Sequence, residues 1–230
     1  MILRHLIVSG CFGALLACDQ PRDDAAASPP VSSRLSAAPT ILFLGTSLTA
    51  GYGIDPEQAY PAVIQQKIDA AGLNFRVINA GVSGETSAGA RRRVEWLLQQ
   101  PVSMLVLETG ANDGLRGLPP DSLRANIQAI FDQARRLQPS VRLVLLGMRI
   151  PPNYGRAYTQ RFEAVYPEVA RANNATLVPF LLQGVGGVSS LNQADGIHPT
   201  AEGQRQMAET VWRVLEPVLG RMEKSERKSS

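Results

Sequence analysis

Ile41-Leu42-Phe43-Leu44-Gly45-Thr46-Ser47-Leu48-Thr49-Ala50-Gly51-Tyr52-Gly53 is the stretch on which the fold turns. Its first four residues are apolar without alternation, as in a strand covered on both faces. A glycine and a run of hydroxyl side chains follow at once, the composition of a tight turn. Beyond the turn, residues 60–71 place Val63, Ile64 and Ile68 on one side at helical spacing. Buried strand, tight turn and amphipathic helix in that order open a parallel sheet covered on both faces.

The same alternation continues outward. Strands are expected at 75–79, 104–107, 141–146 and 176–179. Helices are expected at 88–99, 121–137, 159–172 and 202–219, with Asp121 capping the second of these. The fold class is therefore α/β: a three-layer α/β/α sandwich with a five-stranded parallel sheet, of the flavodoxin-like kind. Such sheets carry their sites at the carboxyl ends of the strands. The segments to search are 45–53, 80–89, 109–118, 147–154 and 180–199.

The amino terminus has a different character. Met1 to His5 is short and basic, and Leu6 to Ala17 is apolar but too short for a stable membrane span. Leu15-Leu16-Ala17-Cys18 then resembles a bacterial lipoprotein box, which implies cleavage after residue 17 and a lipid on Cys18. Cys11, after Val8-Ser9-Gly10, also fits a box, but the apolar run before it is shorter. Residues 18–39 are rich in Ala, Ser and Pro and read as a tether, 40–219 as the folded domain, and 220–230 as a charged, frayed tail. The expected location is exported and periplasmic, anchored to a membrane only through the lipid. With Cys11 removed and Cys18 acylated, the domain keeps no thiol for a disulfide. His5 lies in the signal, so His198 is the single imidazole left. A zinc site built from several His or Cys ligands is excluded by that inventory, and no cofactor is expected. A formal charge of +3, without a basic stripe interleaved with aromatics, gives no nucleic-acid footprint. The run Arg91-Arg92-Arg93 reads as a solvated helix face.

The post-strand segments hold the chemistry. Ser47 in its turn can present a hydroxyl while the turn leaves backbone N–H groups free for an oxyanion. An α/β-hydrolase elbow would place Gly at 49 and a phosphate loop would place Lys after Gly51; the residues there are Thr49 and Tyr52. A helix cap is the structural alternative for this Ser. Gly81 in Asn79-Ala80-Gly81-Val82-Ser83-Gly84 lets a backbone N–H approach a substrate, or only serves the turn. Asn112 offers a neutral side-chain donor suited to an oxyanion, although Asn-Asp also makes Asx turns. Asp195 precedes His198 by three residues, close enough to reach the ring and fix its tautomer. Each signal is modest alone. Together they supply a nucleophile, a base, its orienter and oxyanion donors at the carboxyl edge of one sheet.

Those blocks resemble the SGNH (GDSL-type) hydrolases, and within them the bacterial periplasmic thioesterase I, lysophospholipase and arylesterase branch. The likeness spans about 40–219 and rests on GTSLTAGYGI, NAGVSGETSAGA, LETGANDGLRG, MRIPPNYG, YPEVA and DGIHPTAEGQ. It implies Ser47 as nucleophile and first oxyanion donor through its N–H, with Gly81 and Asn112 as the second and third. It implies Asp195 and His198 as the rest of a triad. Where the family usually has Asp, this chain has Thr46, which can make fewer supporting bonds in the turn. The resemblance also places an acyl pocket at the loop after the fourth strand, with Leu115, Ile150, Pro151, Asn153 and Tyr154 as candidate substrate contacts. Leu118 and the stretch Phe180 to Val188 are possible extensions of that wall. The expected partner is a small acyl ester or thioester, lysophospholipid included, acted on by a monomer. Two other readings stand beside it: a carbohydrate or peptidoglycan O-acetylesterase of the same fold, and a non-catalytic lipid-binding lipoprotein.

Overall fold

The computed structural model describes residues 38–229, and side chains as far as 225. The expectations for the signal segment, Cys11, lipidation of Cys18 and nearly all of the tether lie outside the described residues.

Five strands form one parallel sheet: β1 (Thr40–Gly45), β2 (Arg76–Gly81), β3 (Met104–Glu108), β4 (Arg142–Leu146) and β5 (Thr176–Val178). Their spatial order is β2-β1-β3-β4-β5. Every residue of β1 and of β3 is buried, whereas β2, at the edge, is only half covered. The unbroken apolar runs at 41–44 and 104–107 therefore report two-sided burial.

Around the sheet lie α2 (Tyr60–Ala70), α3 (Ser87–Leu97), α5 (Pro120–Leu137), α6 (Arg156–Ala172) and α7 (Ala201–Ser229). Helix α2 packs with α7 in one layer; α3, α5 and α6 pack in sequence in the other. Right-handed crossovers require this division, because the chain moves one way from β1 to β2 and the opposite way from β2 to β3, β4 and β5. The reversal opens a crevice between the carboxyl ends of β1 and β3. Two short helices border it: α1 (Ser47–Ala50), directly after β1, and α4 (Ala111–Leu115), after β3.

Those two helices fall inside segments expected to be irregular; four and five residues are too few to show a period. Asp121 is not a cap. Pro119 occupies the N-cap and Pro120 the first turn of α5, while Asp121 pairs with Arg161 on α6. Helix α6 begins three residues earlier than the spacing indicated. Helix α7 runs on through Ser229 where a frayed tail was expected after residue 219. The added residues are Gly220 followed by Arg, Met, Glu, Lys and Ser, most of them strong helix formers, and Met222 rests against the core.

Candidate active site

The site begins at the end of β1. A Cβ on Gly45 would lie 2.0 Å from Thr49 Oγ1 and 2.8 Å from Glu108 Oε2, so only glycine lets the turn close there. The chain then enters α1, whose left-handed C-cap is Gly51 at φ 73. Ser47 is the first residue of that helix, half-buried, and its N–H has no intrahelical acceptor.

Thr46 and Thr49 turn the opposite way, into the core, and both meet Glu108 at the end of β3. Thr46 donates its N–H to Oε2 at 2.7 Å, and its Oγ1 lies 3.0 and 2.9 Å from Oε1 and Oε2. Thr49 Oγ1 donates to Oε2 at 2.9 Å and lies 2.8 Å from the Tyr60 hydroxyl. Glu108 and Tyr60 are both fully buried. Burial pushes the Glu108 carboxyl up from the ordinary glutamate value, while the Thr46 and Thr49 bonds pull against that rise. Thr46 is thus a fuller support than its residue type indicated, because a buried acceptor stands opposite both its N–H and its hydroxyl. Glu108 was missed in the sequence. Its signal is a lone acid closing the otherwise apolar strand Met104-Leu105-Val106-Leu107.

The loop before α7 brings in the rest. Ser47 Oγ lies 3.0 Å from His198 Nε2, and His198 Nδ1 lies 2.6 Å from Asp195 Oδ2. The other carboxylate oxygen, Oδ1, accepts the N–H groups of Ile197 at 2.9 Å and His198 at 3.0 Å. The His198 ring and those two amides hold the Asp195 carboxyl well below the usual carboxylate range. Tyr52 packs against His198 with the rings tilted and their centroids 4.5 Å apart, and its carbonyl accepts from Gln193 Nε2 at 2.7 Å. Sequence reasoning passed over Tyr52, since nothing local ties residue 52 to residue 198.

On the other side of the crevice, Asn112 in α4 donates one Nδ2 proton to the Glu85 carbonyl at 2.9 Å, which fixes the amide and leaves its second proton available. Gly81 behaves differently from expectation. Its N–H is taken by Asn79 Oδ1 at 3.0 Å, and its Cα is packed so tightly on α1 that a Cβ would lie 2.2 Å from the Ala50 nitrogen. Gly84, three residues on, is exposed at φ 77, and its N–H has no partner among the described residues. Its carbonyl accepts from Arg116 at 3.0 Å, one turn after Asn112 on the same helical stretch.

The proposed acyl wall is only partly drawn together. Tyr154 donates its hydroxyl to the Leu115 carbonyl at 2.7 Å, and Tyr158 donates to that of Leu118 at 2.6 Å, so the turn before α6 and the first turn of α6 are strapped to the end of α4 and the loop after it. Leu115 and Leu118 stay exposed. Ile150 is buried against Gly114, where a Cβ would lie 2.3 Å from its Cγ2, so it supports α4 from below. Pro151 and Asn153 are exposed, and neither side chain touches the Ser47–His198 pair through any hydrogen bond. Leu181 and Val185 are core residues. Among the described residues, no group of three or more His, Cys, Asp or Glu could hold a metal ion.

The chain is similar to known proteins over most of its folded region. Residues 43–206 match the GDSL-like Lipase/Acylhydrolase family. The chain is 39% identical over 218 residues to "Esterase TesA" of Pseudomonas aeruginosa, covering 94% of this chain and 100% of the relative. It is 35% identical over 187 residues to "Thioesterase 1/protease 1/lysophospholipase L1" of Escherichia coli K12, covering 81% and 88%. A crystal structure of TesA superimposes with a TM-score of 0.74 at 42% identity, covering 77% of this chain and 98% of that one. A match over most of the folded region, together with relatives at this identity and coverage, shows that the chain belongs to the GDSL-like (SGNH) lipase and acylhydrolase family.

Proposed function

We propose that this chain is a serine-nucleophile carboxylic ester hydrolase in which Ser47, His198 and Asp195 act as one triad. The observation that carries the reading is the continuous Ser47 Oγ–His198 Nε2–Asp195 path of 3.0 and 2.6 Å. In that arrangement Asp195 keeps the Nδ1–H tautomer and leaves Nε2 as the proton acceptor. Ser47 Oγ attacks the acyl carbon while its proton passes to His198 Nε2. The imidazolium returns that proton to the departing alcohol or thiol, leaving an acyl ester on Ser47. Water then repeats the sequence with His198 as base and releases the acid.

Three donors are at hand for the oxyanion: the Ser47 N–H at the start of α1, the second amide proton of Asn112, and the N–H of Gly84. Gly84 replaces Gly81 in this role because its amide is unpaired, whereas that of Gly81 is committed to Asn79. The substrate class is acyl esters and thioesters, lysophospholipids included. Relatives whose names are esterase and thioesterase/lysophospholipase support that range, as do the exposed Leu115 and Leu118 on the strapped α4 turn. Export with a lipid on Cys18 belongs to the same reading, and the intact mass of the mature amino terminus tests it.

Ser47→Ala is the decisive variant. It should lower turnover of a nitrophenyl ester by roughly 10⁴- to 10⁶-fold with an unchanged unfolding midpoint. A Ser47→Ala protein that keeps most of its esterase activity would overturn the triad.

A further inference from the structure

The three arginines at 91–93 were expected to share a solvated face. Successive helical residues are 100° apart, so three in a row sweep about 200° and cannot all face water together. Arg91 and Arg92 are exposed, but Arg93 is turned inward, its side chain 21% exposed. Its Nε lies 2.8 and 2.9 Å from the two carboxylate oxygens of Glu85, and its Nη2 lies 2.7 Å from Oε2. The same Nη2 donates to the Gly45 carbonyl at 3.1 Å. Glu85 is the better buried partner, its side chain 10% exposed.

These bonds add a side-chain tie between two parts of the site that β1 and β2 bring side by side, where Val82 also donates its N–H to the Gly45 carbonyl at 2.9 Å. Gly45 stands two residues before Ser47. Glu85 follows Gly84, and its carbonyl is the acceptor that orients Asn112. Through Glu85, one residue therefore meets both sides: its carbonyl fixes the Asn112 amide, and its carboxylate fixes the guanidinium that holds the turn carrying Ser47. Elsewhere the turn is braced from within the core by Glu108, but that brace says nothing about its distance from the oxyanion donors. Arg93 shares the Gly45 carbonyl with the Val82 N–H and is the side chain that carries the tie onward to Glu85.

We propose that Arg93 and Glu85 are positioning residues that clamp the oxyanion loop to the nucleophile turn. This rests on the Ser47 reading above. Arginine is the side chain the clamp requires, because a planar fork can bind a carboxylate through one edge and a carbonyl with the same terminal nitrogen. Lysine carries the same charge on one nitrogen and cannot hold that geometry. Neither residue reaches the reacting atoms. Their removal should therefore raise the barrier to acylation and leave ground-state binding little changed.

The test is a set of variants in the full chain: Arg93→Lys, Glu85→Gln, the double variant, and Arg92→Ala as a control. The readouts are kcat and KM for a short nitrophenyl ester, the rate at which a small organophosphonate labels Ser47, and the unfolding midpoint. Arg93→Lys and Glu85→Gln should each lower kcat and the labelling rate in parallel by about 10- to 100-fold, with KM within about twofold. The double variant should be no worse than the poorer single one, since both act through one clamp. Arg92→Ala should match the parent protein. Unchanged kcat in either single variant, losses that multiply in the double, or losses that only follow a fallen unfolding midpoint would each overturn the clamp. If Arg93→Lys does not fold, the near-isosteric Glu85→Gln carries the same decision. Failure of the triad itself is read separately, because Ser47→Ala would then retain activity and the organophosphonate would leave Ser47 of the parent protein unlabelled.

Discussion

Glu108 and Asp195 approach the Ser47 turn from opposite sides and in opposite surroundings. Glu108 is fully buried and meets only neutral donors, from Thr46 and Thr49. Asp195 has a side chain 40% exposed and meets an imidazole and two backbone amides. Burial raises one carboxyl; hydrogen bonds lower the other. Two carboxylates at one site are thereby given different work. The floor of the turn is built to keep its shape, and the rim is built to move a proton. If that division is real, rim variants should lose turnover at constant stability, and floor variants should lose stability first.

The largest effect belongs to the rim. Asp195→Asn should leave the fold intact and lower kcat by about 10⁴-fold, because an amide opposite Nδ1 no longer enforces the tautomer that leaves Nε2 free. Steady-state kinetics beside a urea melt would decide it. A loss of less than tenfold would mean that His198 does not depend on Asp195.

Asn112→Ala comes next. Deleting one oxyanion donor should cost about 10²- to 10³-fold in kcat. The Glu85 carbonyl, left without its Nδ2 donor, is close enough to the surface to find water. An unfolding midpoint that falls along with kcat would blur the division between rim and floor.

Thr46→Val probes the floor. It keeps the shape of the side chain and removes its hydroxyl from a buried carboxylate. The expected cost is about 1 to 3 kcal/mol of stability, the range for leaving a buried polar group without its partner. It should appear as a lower denaturant midpoint at constant slope. Turnover per folded molecule should change far less than in Asp195→Asn. A variant of unchanged stability and hundredfold lower kcat would reverse the assignment of Thr46.

Much of this was legible in the sequence, and the misses share a cause. The apolar runs at 41–44 and 104–107 announce buried parallel strands. Ser47 and Asn112 stand out because each follows a strand end, and Asp195 and His198 because they stand three apart just before the last helix. What stayed hidden depends on what a group has already bound. Gly81 and Gly84 look interchangeable until the Asn79 side chain is seen to take the first N–H. Arg93 is one of three identical residues until the helix turns it onto Glu85. Thr46 looks like a weak substitute until Glu108 is placed behind it, and residues 46 and 108 are brought together only by the pairing of β1 with β3. An acid closing an otherwise apolar strand was the one clue available, and it marks the floor.

The finest separation of floor from rim comes from pH. Glu108 has a folded-state value above its ordinary 4.5, with burial as the leading cause. As pH rises past that ordinary value, the unfolded chain releases the Glu108 proton while the folded protein still holds it. The folded state then binds more protons than the unfolded state, so stability falls with rising pH until the folded carboxyl ionises too, and is level beyond. The ionised form is the one that accepts all three donors from Thr46 and Thr49, which limits the size of the fall. Glu108→Gln has no such proton to release. Its carbonyl can accept from the Thr46 amide and the Thr49 hydroxyl, and its amino group can donate to Thr46 Oγ1. Parent and variant should therefore differ least in acid, and the balance should shift toward the variant as pH rises. Urea midpoints for the two proteins from about pH 4 to pH 8 measure this difference directly. Asp195 works with the opposite sign, since its lowered value favours the folded state above the ordinary aspartate range and the benefit disappears in acid. Parallel curves for parent and Glu108→Gln would show that Glu108 is already ionised in the folded protein throughout the range. The floor would then be a second charged site, and the contrast with Asp195 would reduce to exposure alone.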